Sequence, residues 1–279
     1  MFPRAATRDV SPKRRIALLV LILLLVAGVF EFGSAPRSDA APGPGTSREP
    51  LGNDVSWPQC GKALPKDQAF GIVGVNNGLA NTTNPCLAEQ LVWAEGSSGV
   101  TVQPKVALYV NTANPGHAGS WWPTSNDYGG ETVDNPYGTC DGEADAACAY
   151  MYGYAKAYDD ATIRGVDGPE KYLWWLDVET ENSWSTDTNA NRADLEGMTA
   201  YFQSIGASVG IYSTSYQWGQ IVGKVSIGSN LYTLPSWLAG ARTLKGAKNK
   251  CLEAPLTAGG KVTLTQFVSK GFDYDYSCI

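Results

Sequence analysis

Eight short runs of apolar and β-branched residues recur between residues 51 and 279, and they constrain the fold more than any other feature. They cover residues 53–57, 70–76, 105–111, 172–178, 208–213, 235–239, 262–268 and 273–277. Each run has the length of a buried β-strand. Because stretches with helical spacing separate most of them, the sequence predicts an α/β fold with a parallel sheet.

Helices are predicted over residues 85–95, 144–158, 191–205 and 214–222. In the second of these, Ala147, Met151, Tyr154 and Tyr158 fall on one face at helical spacing. The last three strands lie too close together in sequence for full helices between them. The pattern therefore predicts an incomplete TIM-type (β/α) barrel, (β/α)5β3-like, with eight strands and an active face at their C-terminal ends. A doubly wound open sheet is the alternative, although no GxGxxG follows any strand.

The first fifty residues differ from the rest of the chain. Five basic residues precede an uncharged apolar run over residues 16–30, which is shorter than the roughly 20 residues of a transmembrane helix. We therefore expect a signal peptide or signal anchor over residues 1–35, a Pro/Gly/Ser-rich linker over 36–50 and a barrel domain over 51–279. The protein would be secreted or extracellular, with membrane contact only through an uncleaved N-terminal segment.

The charge of the chain limits its possible binding partners, and its cysteine content indicates the compartment in which it folds. Beyond residue 35 the chain carries 16 basic and 25 acidic residues, a net charge of −9, which disfavours nucleic acid as a partner. All six cysteines lie in this part, and an even number predicts three disulfides outside the cytoplasm. Six cysteines allow fifteen pairings. We expect the sequential one, because it closes short local loops: Cys60 with Cys86, Cys140 with Cys148, and Cys251 with Cys278. No CxxC pair supports a zinc site, and neither a metal nor a cofactor is expected; the protein is expected to be a monomer.

Two carboxylates end the apolar run of residues 172–178. Asp177 and Glu179 are two residues apart, so both side chains can face the barrel mouth. Two adjacent carboxyls can divide the roles of proton donor and stabilising charge, which is what glycoside cleavage requires. Since the pattern is short, a solvated strand end with two ordinary acids is the alternative.

Further polar residues occur in order along the other strands. Asp54 lies in the first strand, Gln266 in the seventh and Asp273 in the eighth. Together with Asp177-x-Glu179 they resemble the glycoside hydrolase family 25 lysozymes, which cleave the β-1,4 bond after N-acetylmuramic acid in peptidoglycan. The segments 210–213 (GIYS) and 236–239 (SWLA) resemble the fifth and sixth strands of that family.

The resemblance implies a role for each acid. Glu179 would be the general acid, and Asp177 the neighbouring charge that stabilises a cation or orients an N-acetyl group. Asp54 and Asp273 would be supporting acids. Other residues near the expected mouth are candidates for glycan binding: Trp57, Asn76, Asn111, Trp121, Trp122, Trp184, Tyr212, Trp237 and Gln266. The long loop over residues 112–140 is expected to form a lid or groove wall.

The chain also departs from the family pattern. Thr265-Gln266-Phe267 stands where the family usually has Trp-Gln-Tyr, and Asn111 ends a third strand that differs from the expected Tyr-His-Phe. These positions are expected to line the sugar groove. Two functions therefore remain: an exported glycosidase that cleaves peptidoglycan or a related N-acetylated glycan by acid-assisted hydrolysis, or a catalytically inactive carbohydrate-binding or cell-surface module on the same barrel.

Overall fold

The computed structural model describes residues 49–279, and eight of its ten strands close into a barrel. The strands are β1 (Leu51–Val55), β2 (Gly71–Gly74), β3 (Val106–Asn111), β4 (Asp127–Tyr128), β5 (Glu131–Thr132), β6 (Leu173–Asp177), β7 (Ser208–Ser213), β8 (Ser236–Ala241), β9 (Val262–Ser269) and β10 (Phe272–Ser277). The order around the barrel is β1-β10-β9-β8-β7-β6-β3-β2, while β4 and β5 pair only with each other. The predicted eight-stranded barrel is confirmed. The expected signal peptide or anchor lies outside the described residues.

The last strand runs against the others. Pairing is parallel from β1 through β2, β3, β6, β7 and β8 to β9, but β10 is antiparallel to both β9 and β1. Only Lys270 and Gly271 connect β9 to β10, and both have positive φ angles, of 53° and 78°. A two-residue link of this kind can join only antiparallel strands. The start of β10 consequently lies beside the C-terminal ends of the parallel strands.

Five helices cover the barrel: α1 (Leu87–Glu95), α2 (Ala146–Thr162), α3 (Thr188–Ser204), α4 (Ser215–Ile221) and α5 (Leu244–Lys250). Side chains at their N-termini accept backbone hydrogen bonds, for example Asp145 from Cys148 and Thr214 from Gln217. Such caps satisfy amide groups that the first helical turn leaves unpaired. The four predicted helices are present within a few residues of their expected bounds, and α5 is a fifth, short one.

Alternation along β6 divides the core into two layers. Trp174 and Leu176 face outward against the helices, where Trp174 stacks on Phe202 with ring centroids 4.4 Å apart. Trp175 faces the barrel interior and packs against Trp237. Because successive side chains of a strand point to opposite faces, Asp177 lies on the same side as Trp175. The barrel interior is therefore apolar below and acidic at the mouth.

Helices α2 and α3 approach each other very closely. A Cβ atom at Gly153 would overlap the carbonyl oxygen of Asp194, and one at Gly197 would overlap that of Tyr150. Only glycine permits such an approach of two backbones. This contact holds α3 behind β6 and fixes the position of the loop that joins them.

Three disulfides join Cys60 to Cys86, Cys140 to Cys148 and Cys251 to Cys278, which is the sequential pairing that the sequence analysis expects. The second closes the insertion between β3 and α2 onto the first turn of α2. No helix within residues 49–279 is both long and apolar enough to cross a membrane.

Candidate active site

A cavity of about 220 Å³ opens at the C-terminal ends of the parallel strands. Its lining consists of Asp54, Ser56, Pro58, Gln59, Tyr109, Asp177, Glu179, Tyr212, Trp237, Gln266 and Asp273. The four acids that the sequence analysis singled out thus meet in one place. No Lys, Arg or His of the described residues lines this cavity.

Hydrogen bonds hold Asp177 and Glu179 in place. Asn111 Nδ2 donates to Asp177 Oδ2 at 3.0 Å, and Thr112 Oγ1 donates to the backbone oxygen of Asp177 at 2.7 Å. The indole N–H of Trp184 donates to the backbone oxygen of Glu179 at 2.7 Å. The end of β6 is therefore fixed on both sides, and its two carboxyls are presented by a rigid backbone.

A second chain of hydrogen bonds holds Asp54. Gln266 Nε2 donates to Asp54 Oδ2 at 3.0 Å, and Tyr212 Oη donates to Gln266 Oε1 at 2.9 Å. Tyr212 itself packs edge-on against Trp237, with ring centroids 4.4 Å apart. The aromatic wall of the cavity thereby orients the amide that orients Asp54.

Asp273 reaches the site because β10 runs in the reverse direction. In the ladder between β1 and β10 it lies opposite Asp54, although it stands near the start of its strand. Two residues further along, Asp275 faces the same interior and is fully buried. The sequence analysis assigned a role to Asp273 alone, although the two-residue period of a strand places Asp275 on the same face.

Burial without cations raises the pKa of each of these acids. Burial, and then the charge of Asp273, raise the pKa of Asp54 to about 8. The pKa of Asp177 is raised well above its ordinary value by burial and then by Glu179, and burial followed by Glu181 raises the pKa of Glu179. Burial also raises the pKa of Asp273. Since Asp177 is only 6% exposed, two ordinary acids at a solvated strand end do not describe this site.

Several predicted glycan-binding residues lie at the cavity. Tyr212, Trp237 and Gln266 line it, and Asn111 joins it through Asp177. Trp57 is 44% exposed beside the lining residue Pro58. Trp184 does not line the cavity but holds the backbone of Glu179 through its indole N–H.

Three others lie elsewhere. Asn76 points away from the cavity, because its amide donates to Asp160 Oδ1 at 2.9 Å and accepts from the backbone N–H of Asn111 at 2.8 Å. Trp121 and Trp122 stack on Tyr152 of α2, outside the cavity lining. The loop over residues 112–140 thus packs on α2, and none of its residues lines the cavity.

Lining residues that the sequence analysis missed include Tyr109, Ser56 and Gln59. Tyr109 precedes Asn111 by two residues, so strand alternation could have found it. Ser56 and Gln59 lie in the turn after β1, which carries no periodic pattern. Among residues 49–279 no group of three or more His, Cys, Asp or Glu is arranged to hold a metal ion.

Two departures from the family pattern prove to lie outside the groove. Thr265 Oγ1 donates to the backbone oxygen of Ala247 in α5 at 3.1 Å, and Phe267 stacks on Tyr274 with ring centroids 5.6 Å apart. Gln266, which stands between them, faces the cavity. The expectation that Thr265 and Phe267 line the groove was wrong, because neighbours of an inward residue on a strand face outward.

Comparison with known proteins supports the same relationship. The family model described as "Lysozyme-like protein 1" matches residues 168–250. A probable GH family 25 lysozyme of Dictyostelium discoideum is 42% identical over 65 residues, which are 23% of this chain and 29% of that protein. Lysozyme-like protein 5 of Caenorhabditis elegans is 34% identical over 122 residues, 44% of this chain and 53% of that protein. The matches thus span about half or less of the length of these relatives.

Solved structures extend the likeness to most of the barrel. The muramidase from Trichobolus zukalii has a TM-score of 0.51 and 17% sequence identity over 81% of this chain and 92% of that one. This likeness concerns the fold, while the sequence matches connect the region around β6 to lysozyme-like proteins. Residues 168–250, which include β6, are thus similar in sequence to lysozyme-like proteins, and the barrel is similar in fold to a muramidase.

Proposed function

We propose that this chain is an exported glycoside hydrolase that cleaves β-1,4 bonds in peptidoglycan or a related N-acetylated glycan. The observation that carries the proposal is the convergence of Asp54, Asp177, Glu179 and Asp273 in one aromatic-lined cavity that no basic side chain of residues 49–279 lines. Glycoside cleavage passes through an oxocarbenium-like transition state, whose positive charge nearby carboxylates stabilise. A cavity of this charge favours that state over the neutral substrate.

Glu179 is the general acid of this proposal. Its side chain is half-buried at the open end of the cavity, where the glycosidic oxygen of a bound sugar can reach it. Burial and Glu181 raise the pKa of Glu179, so its carboxyl keeps a proton at a pH where an ordinary glutamate has lost it. On cleavage that proton passes to the leaving oxygen while the bond between this oxygen and the anomeric carbon breaks.

Asp177 supplies the neighbouring charge. Asn111 holds its Oδ2, while Oδ1 has no hydrogen-bond partner among the described residues. That free oxygen can accept a hydrogen bond from an acetamido N–H or lie beside the cationic carbon. Because Asp177 and Glu179 repel each other when both are ionised, the pair tends to keep one proton and one charge. Asp54 and Asp273 complete the acidic wall.

Export and anchoring extend the proposal beyond the barrel. Three disulfides are typical of proteins that fold outside the cytoplasm. Residues 1–35 would act as a signal peptide or signal anchor that brings the barrel to the cell wall, and the barrel would act as a monomer on its glycan.

A non-catalytic carbohydrate-binding or cell-surface module is the second candidate. The departure from the family pattern at the end of β3 favours it, because Asn111 there hydrogen-bonds Asp177 of the cavity. A module would bind one sugar unit at the mouth without cleaving the chain.

Reducing-end release from isolated peptidoglycan by the purified full chain separates the two. Replacing Glu179→Gln removes the proton donor but keeps the shape, so the rate should fall about 10²–10⁴-fold. Glu89→Gln is the matched control, because Glu89 is exposed on α1 and does not line the cavity; it should retain most of the activity. Equal release by the wild type and Glu179→Gln would overturn the proposal, and wall binding without release by either would support the module.

A further inference from the structure

Asp275 is the one acid of the barrel interior to which the proposed mechanism gives no role. It lies on β10 opposite Gly52 of β1 and Gln266 of β9, and none of its surface is exposed. Since it follows Asp273 by two residues, it occupies the same face one layer deeper. It therefore lies beneath the cavity and beyond the direct reach of substrate.

The carboxyl of Asp275 lies near that of Asp54, because Gln266, the cross-strand neighbour of Asp275, donates from Nε2 to Asp54 Oδ2 at 3.0 Å. Each of the two acids also acts on the pKa of the other. Neither oxygen of Asp275 accepts a well-formed hydrogen bond from any N–H or O–H group of the described residues. Two ionised carboxylates in contact away from water repel each other strongly. A proton held between the two removes that repulsion and makes the contact an O–H···O bond.

The hydrogen bonds of Asp54 decide which partner carries the proton. Asp54 Oδ2 already accepts from Gln266 Nε2 at 3.0 Å, which favours the ionised form of Asp54. The indole N–H of Trp237 is directed toward Asp275 but forms no well-aligned hydrogen bond with it. Asp275 is therefore the proton donor of the pair and Asp54 the acceptor.

The surroundings offer nothing that would remove this proton. The titratable groups that act on the pair are Asp273 of β10, Asp177 of β6 and Tyr109 of β3, and none of them is cationic. Trp237 of β8 turns its indole N–H toward Asp275, and that N–H has no well-aligned acceptor in the described part of the chain. Burial, followed by the charge of Asp54, raises the pKa of Asp275 well above its ordinary value.

We propose that Asp275 is a positioning residue that stays protonated and donates its proton in a hydrogen bond to Asp54, so that Asp54 presents a fixed oxygen to the cavity. The role rests on the proposed function, since Asp54 can act on a glycan only if the cavity binds one. When the pair loses its proton at high pH, the two charges repel and Asp54 loses its orientation. The pair thus adds a second ionisation to the one contributed by Glu179.

Three variants of the full chain test this role. Asp275→Asn keeps an N–H donor toward Asp54 but cannot ionise, whereas Asp275→Leu keeps the branched shape in a somewhat larger side chain and removes the donor. Asp134→Asn, at an exposed position of the insertion, is the matched control. Circular dichroism shows whether each variant is folded.

The first measurement is a titration of the carboxyl carbons of Asp54 and Asp275 by NMR, which does not depend on activity. The wild type should show two coupled steps, both above the ordinary range of aspartate. In Asp275→Asn, Asp54 should titrate in one step at a lower pH, because the like charge is gone. Independent titration of the two groups near pH 4 in the wild type would overturn the inference, whether or not the variants fold.

The second measurement is the alkaline limb of kcat/KM. A plot of log kcat/KM against pH should steepen from a slope of about −1 to about −2 in the wild type, but remain near −1 in Asp275→Asn. Asp275→Leu should lose at least about tenfold in kcat at every pH, and Asp134→Asn should match the wild type. An unchanged slope of −2 in Asp275→Asn would overturn the role of Asp275. No turnover by any form, with the coupled titration present, would instead refute the proposed function alone.

Discussion

Two buried acids of α2 have cationic partners, whereas the acids of the cavity have none. In α2, Asp159 binds Lys156 at 3.2 Å and accepts from Tyr128 Oη at 2.8 Å, and Asp160 binds Arg164 at 3.3 Å. We call these two the helical-layer acids. The cavity acids, Asp54, Asp177, Glu179 and Asp273, form no salt bridge with any residue from 49 to 279.

The difference separates buried acids that have a cationic partner from buried acids that have none, although burial raises the pKa of Asp160 to about 7 even beside Arg164. A buried carboxylate with a cation and hydrogen bonds is offset by its partners, whereas one without a cation destabilises the folded state or takes up a proton. Nothing in the packing of the barrel requires four acids at its mouth. Their presence is a cost in stability, which the proposed catalytic function would explain.

The largest loss of stability is expected when Lys156, the cation that pairs with Asp159, is replaced. Lys156 is 7% exposed and also lies 4.9 Å from the ring centroid of Trp121. Lys156→Met leaves Asp159 and the nearby buried Asp194 without a cation, and should lower the free energy of unfolding by about 3–5 kcal/mol. Urea denaturation measures this change.

Lys250→Met is the matched control for that loss. Lys250 pairs with Glu253 at 3.2 Å, but Glu253 is exposed, so this pair should contribute only about 0–1 kcal/mol. Similar losses in the two lysine variants would show that the helical-layer pairing is no stronger than a surface contact.

A smaller change in the free energy of unfolding is expected when the pH is raised. The pKa of Asp54 is about 8 in the folded state and 3.8 in an unfolded chain, so folding takes up a proton between these values. Its stabilising contribution is complete below pH 3.8 and is lost as the pH rises toward 8, by at most about 1.4 kcal/mol per pH unit. The free energy of unfolding should therefore fall between pH 5 and pH 8, and Asp54→Asn should flatten that fall. A stability that rises with pH across this window would show that the cavity acids are ionised and compensated.

The sequence carried enough information for the barrel and its acids. Apolar runs ending in Asp54 and Asp177 predict buried strands with polar ends, and parallel strands bring such ends to one face. Asp273 was expected there through the family resemblance, but the reason it reaches the mouth is the reversed β10. The Lys270-Gly271 link encodes that reversal, and only the observed φ angles make it plain.

The surroundings of the site were harder to predict. Trp121 and Trp122 were expected near the glycan, but they pack on Tyr152, a contact between an irregular loop and a helix that no local pattern encodes. Asn76 was expected at the mouth, yet Asp160 of α2 holds its amide on the outer side. The positions of these side chains depend on how the insertion packs against α2. Such tertiary contacts cannot be predicted from a local sequence pattern.

The most direct test of the contrast is to replace one acid of each kind with its neutral isostere. At pH 7.5, Asp177→Asn should raise the free energy of unfolding, because the folded state no longer has to hold a buried, repelled carboxyl, while peptidoglycan hydrolysis falls at least about 10²-fold. Asp160→Asn, whose salt bridge to Arg164 is lost, should leave the hydrolysis rate of the folded enzyme nearly unchanged. A loss of stability in Asp177→Asn with activity retained would contradict the account.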